Sequence, residues 1–586
     1  MKMKNLYKYL ILAVTVVLGA SSCEKFLDRP AEDVYNEANF YQNDAQCLQG
    51  VNYLYNSPWN DFIRGFYKVG EIFSGNMYSG GSPYMQFSVN GSDQDLRELS
   101  QALWAVNTHC SMVYNRIKRA EGITPSVKDQ CMGEALTWKA MAYFYLVRCF
   151  GDVPIIHDIS AEVAGAQYNE IRKVRKQDVY EYIIMTLEEA MRLLPKKTSG
   201  FESNGRIDYY AAEALLSKVY LTKAGVTGTL LQADLDKAAE YAKDVIDHSG
   251  RSLMENYEDI FRGRNNLNKE CLLSWLWDSS AKPWTVQNWL HSDLAMAGFT
   301  EWGGADCWGG WGGPSVDLQD AFNVHSYDSP VGRIDMDTRR KATMMLAGDV
   351  YEYFWRDVEY APGKKGFDYL KFLYDSEYAP GGPGGLQCPT GSNCVKHLYG
   401  DTADHVAEMG STPDRMASGL ATHILRLADV YLVYAEAKIG ASRGTTTDAS
   451  AIDAFYQVRH RAVSTYNRPT SISWQDVWKE RRLELALEGD RWYDFVRLAY
   501  YAPQEAVAEI KGQRRNALNN VGTVYENYYN SGVWSGAENV TYDTTTPIPN
   551  VDENSFSLPF PQADVVFNKY LTADPVEVDV RTVYAF

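Results

Sequence analysis

The residues best suited to ligand chemistry are aromatic and lie in two glycine-rich stretches. One stretch runs from residue 284 to residue 311 and overlaps the run WGGADCWGGWGG at residues 302–313, and the other covers residues 76–84. A flat aromatic ring packs against the apolar C–H face of a sugar ring, while Asn, Asp and Arg side chains hydrogen-bond to the hydroxyls at its rim. The two stretches therefore predict a saccharide-binding surface.

Within these stretches we expect Trp308 and Trp311 to be the stacking platforms. The further aromatic candidates are Trp284, Trp302 and Tyr78, and the polar candidates are Asn76 and Asp306. So much glycine is unfavourable inside a helix or strand, which predicts a loop that holds its indoles through backbone conformations open only to glycine. The alternative is that the indoles fill the core beneath the glycines.

Catalytic motifs are absent from the sequence. There is no P-loop, no HExxH and no G-x-S-x-G, and no motif nominates the two carboxylates that a glycosidase places across its cleft. His397 and the stretch Asp401–His405 could bind a metal, and Asp335 with Asp337 could bind calcium, although a solvated turn suits these residues better. The sequence therefore predicts neither catalytic residues nor a cofactor.

Composition and net charge limit the classes of partner that the chain is expected to bind. The chain has 586 residues, with 57 Lys and Arg against 75 Asp and Glu, so its formal net charge is −18. Such an acidic balance disfavours nucleic acid, because phosphate binding needs clustered cations. With 15 Trp, 41 Tyr and 21 Phe, the chain has enough aromatic residues for both a core and a ligand surface.

The first 22 residues have the pattern of a lipoprotein signal peptide. A basic start is followed by a short apolar run over residues 10–18 and then by Ala20-Ser21-Ser22-Cys23. Small residues before a cysteine predict cleavage before Cys23 and acylation of its thiol, the alternative being an ordinary secretory peptide. No later apolar run reaches the ~18 residues of a membrane span. Cys388 and Cys394 could form a disulfide in an oxidising compartment.

The elements that must position these residues are mostly helices. Amphipathic patterns predict long helices through residues 95–248, and helical periodicity returns over residues 422–462. The stretch Trp474–Arg497 predicts two packed helices joined by an ion-pair network, with Gly489 breaking the run and Asp490 capping the second helix. The fold class is therefore mainly α, with an irregular middle.

Several stretches, in order along the chain, resemble the SusD/RagB family of nutrient-binding surface lipoproteins. They include Leu146–Pro154, Arg426–Ala437, Glu480–Arg482, Arg491–Asp494 and Leu558–Pro561. The resemblance implies one SusD-like domain over residues 23–586, with a helical part to about 250, a loop-rich middle to about 420 and further helices beyond. It also implies tetratricopeptide-like helix pairs on one side, a ligand site on the loop-rich side, and early and late helices that meet in space.

The resemblance further implies a non-enzymatic, glycan-binding lipoprotein of the outer-membrane surface, partnered with a SusC-like TonB-dependent transporter. Two alternatives remain open. The same scaffold could serve peptides or another non-sugar nutrient, or the chain could be a secreted glycan-degrading enzyme. The tail beyond Ala573 departs from the family pattern, so its role stays undetermined.

Overall fold

Long helices supply most of the regular structure, as the sequence predicts. The computed structural model describes residues 40–159, 165, 169–197, 205–280, 284–300, 307–414 and 417–586. The predicted signal peptide over residues 1–22, Cys23, Trp302 and Asp306 lie outside the described residues. Within the described residues, no helix is both long enough and apolar enough to cross a bilayer.

Thirteen helices of eight or more residues occur in the described part of the chain. They are α1 Asp44–Asn52, α2 Gln94–Arg119, α3 Pro125–Phe150, α4 Lys176–Leu193, α5 Tyr209–Lys223, α6 Gln232–His248, α7 Thr402–Met409, α8 Leu427–Ile439, α9 Ala449–Ala462, α10 Trp474–Leu485, α11 Arg491–Ala499, α12 Pro503–Gly512 and α13 Val521–Ser531. Shorter helices span Ile63–Tyr67, Pro83–Gln86, Leu290–Leu294, Val316–Phe322, Arg339–Thr343, Tyr369–Tyr374, Gln562–Phe567 and Val580–Val583.

The strands are short and pair in twos. They are β1 Met77–Tyr78, β2 Cys271–Trp275, β3 Gly313–Pro314, β4 Met344–Met345, β5 Val350–Tyr351, β6 Glu359–Ala361, β7 Lys364–Lys365, β8 Phe367–Asp368, β9 Asn393–Cys394, β10 Thr422–Arg426, β11 Thr445–Thr446, β12 Ile472–Ser473, β13 Leu518–Asn519 and β14 Thr541–Tyr542. Most of them have only two residues, so the middle of the chain is an irregular, loop-rich region, as predicted. Cys388 and Cys394 are both buried free thiols in this region.

Local signals explain where the long helices begin and end. The Asp93 carboxylate accepts a hydrogen bond from the Leu96 amide at the start of α2. At the end of α3, Gly151 takes a φ of +71°, which a residue with a side chain rarely adopts. The α2–α3, α5–α6 and α8–α9 pairs pack as antiparallel neighbours. These pairs form the tetratricopeptide-like side of the fold.

Early and late helices meet in space, as the family resemblance implies. Helix α6 packs against α8, and the Gln232 side chain accepts a hydrogen bond from the Ala441 amide. Deeper in the structure, the Lys218 amine of α5 lies 2.6 Å from an oxygen of Asp429 on α8. A buried charge needs a partner, so this pair fixes how the two halves of the chain dock.

The predicted ion-pair network around α10 is confirmed and is almost fully buried. Arg426 binds Glu484 and Glu488, and Arg339 binds Glu480 and Glu484. The helix boundaries differ from the prediction, because α10 ends at Leu485. Asp490 stands at the start of α11, yet its carboxylate makes no capping bond there and binds Lys218 instead.

The tail beyond Ala573 crosses the outside of the helical side. Val576 pairs with Val174 in a parallel β-bridge, and the Val580–Val583 helix packs on α4. The Phe586 ring then contacts Tyr114 of α2 and His157 at edge-to-face or tilted angles. The tail therefore closes over the space between α2, α3 and α4.

Candidate functional site

Trp308 and Trp311 flank one short turn of the loop-rich side and both reach solvent. Trp308 is 43% exposed and Trp311 is 67% exposed, so neither indole fills the core. Residues Gly309–Trp311 form a 3₁₀ turn, which the Trp308 and Gly309 amides anchor through hydrogen bonds to the carbonyls of Ser292 and Ala295. The turn therefore presents two large rings from a backbone that is fixed on both sides.

The glycines of this turn serve close packing, which corrects the expectation of glycine-only backbone conformations. None of Gly309, Gly310 and Gly313 has a positive φ. A Cβ on Gly309 would lie 2.3 Å from the Asp293 carbonyl oxygen, and one on Gly313 would lie 2.2 Å from the Ser392 carbonyl oxygen. Real Cβ atoms do not approach so closely, so these positions exclude larger residues because the neighbouring backbone is in contact.

A two-residue ladder joins the two aromatic stretches. In the β1–β3 pair, Tyr78 lies opposite Gly313 and Met77 lies opposite Pro314. The half-buried Tyr78 thus stands two residues away in register from the Trp311 turn, although more than 200 residues separate them in the sequence. The structure brings together Tyr78, Trp308 and Trp311 as predicted site residues.

Asp293 holds the Trp308 ring in place. The indole Nε1 donates to a carboxylate oxygen of Asp293 at 2.6 Å, and the Tyr67 hydroxyl donates to the other oxygen at 3.3 Å. Arg64 lies 3.5 Å from Asp293 and packs over the Trp289 ring. Burial raises the pKa of Asp293, while Arg64 and the donor from Trp308 oppose that shift.

The sequence analysis missed both Asp293 and Arg64. Asp293 lies in a five-residue helix and Arg64 in another, 229 residues earlier in the chain. Neither helix is long enough to show a periodic face, so no local signal points to them. The bond from Trp308 to Asp293 and the pairing of Arg64 with Asp293 become visible only in three dimensions.

Asn76 is corrected as a candidate ligand contact. Its side chain is fully buried, with the amide nitrogen donating to Glu71 at 2.8 Å and the amide oxygen accepting from Arg482 at 2.9 Å. Both ends of the amide are used inside the protein. Asn76 therefore anchors the residue before β1 inside the protein and does not face a ligand.

Trp284 lies on a separate short turn that contacts the segment around Ser57. It is 37% exposed and starts the short turn Trp284–Val286, where Thr285 and Ser57 share a hydrogen bond of 2.5 Å. Its role in the site stays a prediction. Trp302 and Asp306 fall in residues that the structure does not describe.

The residues considered for metal binding are engaged with protein groups. The Asp404 carboxylate accepts from the amides of Trp355 and Arg356, and His397 hydrogen-bonds to the Leu487 carbonyl. Asp335 binds Arg340, and Asp337 binds Arg339. Among the described residues, no group of three or more His, Cys, Asp or Glu side chains is arranged to hold a metal ion.

The chain is similar to known proteins along nearly its full length. A family model described as "SusD family" matches residues 299–575, and one described as "Starch-binding associating with outer membrane" matches residues 101–221. A SusD-like protein of Bacteroides ovatus is 32% identical, covering 97% of this chain and 98% of that protein.

Solved structures share the fold. A structure determined with a xylogluco-oligosaccharide is 29% identical with a TM-score of 0.74, covering 92% of this chain and 99% of the other. A SusD homologue from Bacteroides thetaiotaomicron is 20% identical with a TM-score of 0.64, covering 92% and 98% of the two chains. At that lower identity the likeness concerns the fold alone.

Proposed function

The chain belongs to the SusD family, and we propose that it is a non-enzymatic, glycan-binding lipoprotein of the cell surface. On this proposal it captures an oligosaccharide or polysaccharide and delivers it to a SusC-like TonB-dependent transporter in the outer membrane. The observation that carries the proposal is the pair of exposed indoles, Trp308 and Trp311, beside Tyr78 on the loop-rich side.

The geometry suits sugar rings for two reasons. First, Trp311 offers a large, exposed aromatic surface on which an apolar sugar face can stack. Second, the Asp293 hydrogen bond fixes the Trp308 ring before a ligand arrives, and a preorganised ring loses less conformational entropy on binding. Arg64, whose side chain is 36% exposed, replaces Asn76 as our candidate donor to sugar hydroxyls.

The similarity to a structure with bound xylogluco-oligosaccharide supports a polysaccharide ligand and gives the first probe. Calorimetric titration with xyloglucan oligosaccharides and other glycan fragments should reveal at least one saccharide that binds. If no saccharide binds while peptides or another nutrient do, the alternative reading of the same scaffold replaces this one.

The stacking role is tested with two variants. Trp311→Ala and Trp308→Ala should each weaken glycan binding by roughly 1–3 kcal/mol, the scale of losing a large hydrophobic contact. Tyr241→Ala, on α6 of the helical side, is the control and should bind as wild type. Circular dichroism checks folding. Folded Trp variants that bind as tightly as wild type would remove this loop from the site.

The absence of catalysis is a separate part of the proposal. Asp293, the carboxylate that accepts a hydrogen bond from the Trp308 indole, is buried and engaged with Trp308, Tyr67 and Arg64. We therefore expect no new reducing ends when purified protein is incubated with the glycan it binds. Sustained release of reducing ends by the pure protein would instead favour the glycan-degrading enzyme.

Membrane attachment and the transporter complete the proposal. Cys23→Ala should release the protein from the membrane fraction, because no other anchor is predicted. Pull-down from gently solubilised membranes should recover a large β-barrel with the wild-type protein. Retention of the Cys23→Ala variant on membranes would contradict the anchor, and recovery of the lipoprotein alone would contradict the complex.

A further inference from the structure

A small cavity lies on the helical side, built from elements other than those of the Trp308 surface. Its volume is about 240 Å³, and its walls come from α2, α3, the segment after α3 and the end of the tail. This is below the roughly 300–1,000 Å³ of pockets that hold drug-sized ligands. At about 30 Å³ per water molecule, the cavity has room for a compound of only a few heavy atoms.

Lys139 of α3 gives this cavity an unusual charge. The side chain is only 2% exposed. Its amine donates to the Ser111 hydroxyl at 2.9 Å and to the His157 carbonyl at 2.6 Å. Both acceptors are neutral. Within the described residues, no carboxylate forms an ion pair with this amine.

The other buried lysines of the described residues have the carboxylate partner that Lys139 lacks there. Two further lysines are buried in the described part of the chain, and each has a close carboxylate. Lys218 lies 2.6 Å from Asp429, and Lys396 lies 2.8 Å from Glu488. A buried ammonium without a counter-ion is costly, so Lys139 stands apart from the way this protein treats its other buried lysines.

The groups next to the Lys139 amine do not balance its positive charge. Both ring nitrogens of His157 are engaged, with the Tyr182 hydroxyl and the Ala585 carbonyl, and burial lowers the pKa of His157 to about 4. Burial also lowers the pKa of Lys139 to about 7, against weaker opposite effects of Cys110 and of Asp158 at the cavity wall. An anion in the cavity would therefore be attracted by a partly charged, desolvated amine.

We propose that this cavity binds a small organic carboxylate, with Lys139 as its counter-ion. The apolar walls formed by Tyr114, Leu136 and Phe586 suit a short hydrocarbon body, and the Ser111 hydroxyl lies within hydrogen-bond distance of the amine that receives the carboxylate. Lys118, at the rim, adds a second cation. The site is independent of the glycan surface, so either proposal can fail alone.

The probes are sodium propionate and sodium benzoate, compared with sodium chloride at equal ionic strength and pH 7. Both carboxylates should raise the Tm of the full-length protein in a saturable manner, because a ligand that binds only the native state stabilises it. Calorimetry gives the Kd directly.

Lys139→Met removes the charge and keeps most of the side-chain volume. It should raise the Kd for propionate roughly tenfold or more, as expected from losing a charge-assisted hydrogen bond. Lys237→Met, an exposed lysine on α6, is the matched control and should keep the wild-type Kd. Asn115→Phe places a bulky ring at the partly exposed wall of the cavity, keeps the Lys139 amine and should also abolish binding.

Three results with the carboxylate probes would overturn the proposal. They are no saturable response of the wild-type protein to either carboxylate, an unchanged propionate Kd in folded Lys139→Met, and an unchanged Kd in folded Asn115→Phe. The Asn115→Phe variant keeps the test decisive if Lys139→Met does not fold. Equal stabilisation by sodium phosphate or sulfate through Lys139 would also overturn it, because the site would then select any oxyanion.

Discussion

Tyr78 pairs with Gly313 in an antiparallel ladder, and this register joins two distant aromatic stretches into one surface. On one side of the ladder, the buried Asn76 side chain forms hydrogen bonds with Glu71 and Arg482. On the other side, Gly313 lies two residues after Trp311, the last residue of the turn. The direction in which Trp311 projects therefore depends on a backbone contact rather than on side-chain packing around its ring.

Replacing Gly313 should disturb the site through this contact. In Gly313→Ala the new Cβ would lie 2.2 Å from the Ser392 carbonyl oxygen, so the ladder or its neighbour must shift. Strain of this kind in a packed region typically costs about 1–3 kcal/mol. We expect a lower free energy of unfolding in urea and weaker glycan binding in calorimetry.

Gly312→Ala is the matched control for that experiment. Its Cβ would meet the Tyr78 carbonyl oxygen at 3.2 Å, a distance that a small adjustment relieves. It should therefore keep most of the stability and affinity of the wild type. Equal losses in both variants would show that the contact with Ser392 does not determine the position of the turn.

The sequence predicts most of the helices because their signals are local. The expectation of helix from residue 422 is wrong at its start, because Thr422–Arg426 form strand β10 and the helix begins at Leu427. Apolar spacing, caps such as Asp93 and the glycine after α3 lie within a few residues of the helices they define. The network around α10 was also predictable, since Arg and Glu at helical spacing need buried partners. Their particular partners, such as Arg426 with Glu270, join residues 156 positions apart and were not predictable.

The site was only partly predictable for the same reason. The irregular backbone around Trp308 and Trp311 was predictable, because so much glycine is unfavourable in a long helix or strand. The exposure of the two indoles was one of two outcomes that the sequence left open. Burial of Asn76 was not predictable, because it depends on Arg482, 406 residues away. The hold of Asp293 on Trp308 likewise depends on how a five-residue helix packs under the turn.

Replacing Arg426 should be among the substitutions that lower the free energy of unfolding most. It is 1% exposed and binds Glu270, Glu484 and Glu488 with N–O distances of 2.5–3.0 Å. Arg426→Met leaves buried carboxylates without this cation, which typically costs about 3–5 kcal/mol. Urea unfolding measures the loss.

An exposed ion pair on α6 provides the comparison. Lys243 pairs with Asp247 at the surface, where both side chains are about 40% exposed. Lys243→Met should therefore change the free energy of unfolding by about 0–1 kcal/mol. Similar losses for Arg426→Met and Lys243→Met would show that the buried network does not stabilise the fold as its geometry suggests.

Asp429 should make stability depend on pH in the acid range. Burial alone would raise the pKa of this carboxyl, but Lys218 and Arg481 outweigh burial and lower it from 3.8 to about 2. A carboxyl with a depressed pKa in the folded state stabilises the protein above its unfolded pKa. That stabilisation is lost as the pH falls through about 2.

Asp429→Asn tests this linkage. The variant should be less stable than wild type at pH 7, by roughly 3 kcal/mol or more, because it leaves buried cations unpaired. The gap should begin to shrink below about pH 4, where Asp429 of the unfolded wild-type chain takes up a proton, and should close as the pH falls through about 2, where the folded state does so too. Urea unfolding at a series of pH values gives the gap, and a constant gap from pH 7 down to pH 2 would refute the assigned pKa direction.

Trp308→Phe separates the stacking role of the ring from its hydrogen bond. The variant keeps an aromatic face but removes the Nε1 donor that lies 2.6 Å from Asp293, which is only 8% exposed. Leaving a buried carboxylate short of a donor typically costs about 1–3 kcal/mol. We therefore expect a lower free energy of unfolding, together with glycan binding that is weaker than wild type but stronger than that of Trp308→Ala.

Trp311→Phe is the control, because that indole is 67% exposed, and its stability should stay close to wild type. If Trp308→Phe unfolds at the wild-type urea concentration, the Asp293 bond does not hold the ring, and the preorganisation argued for this site is wrong.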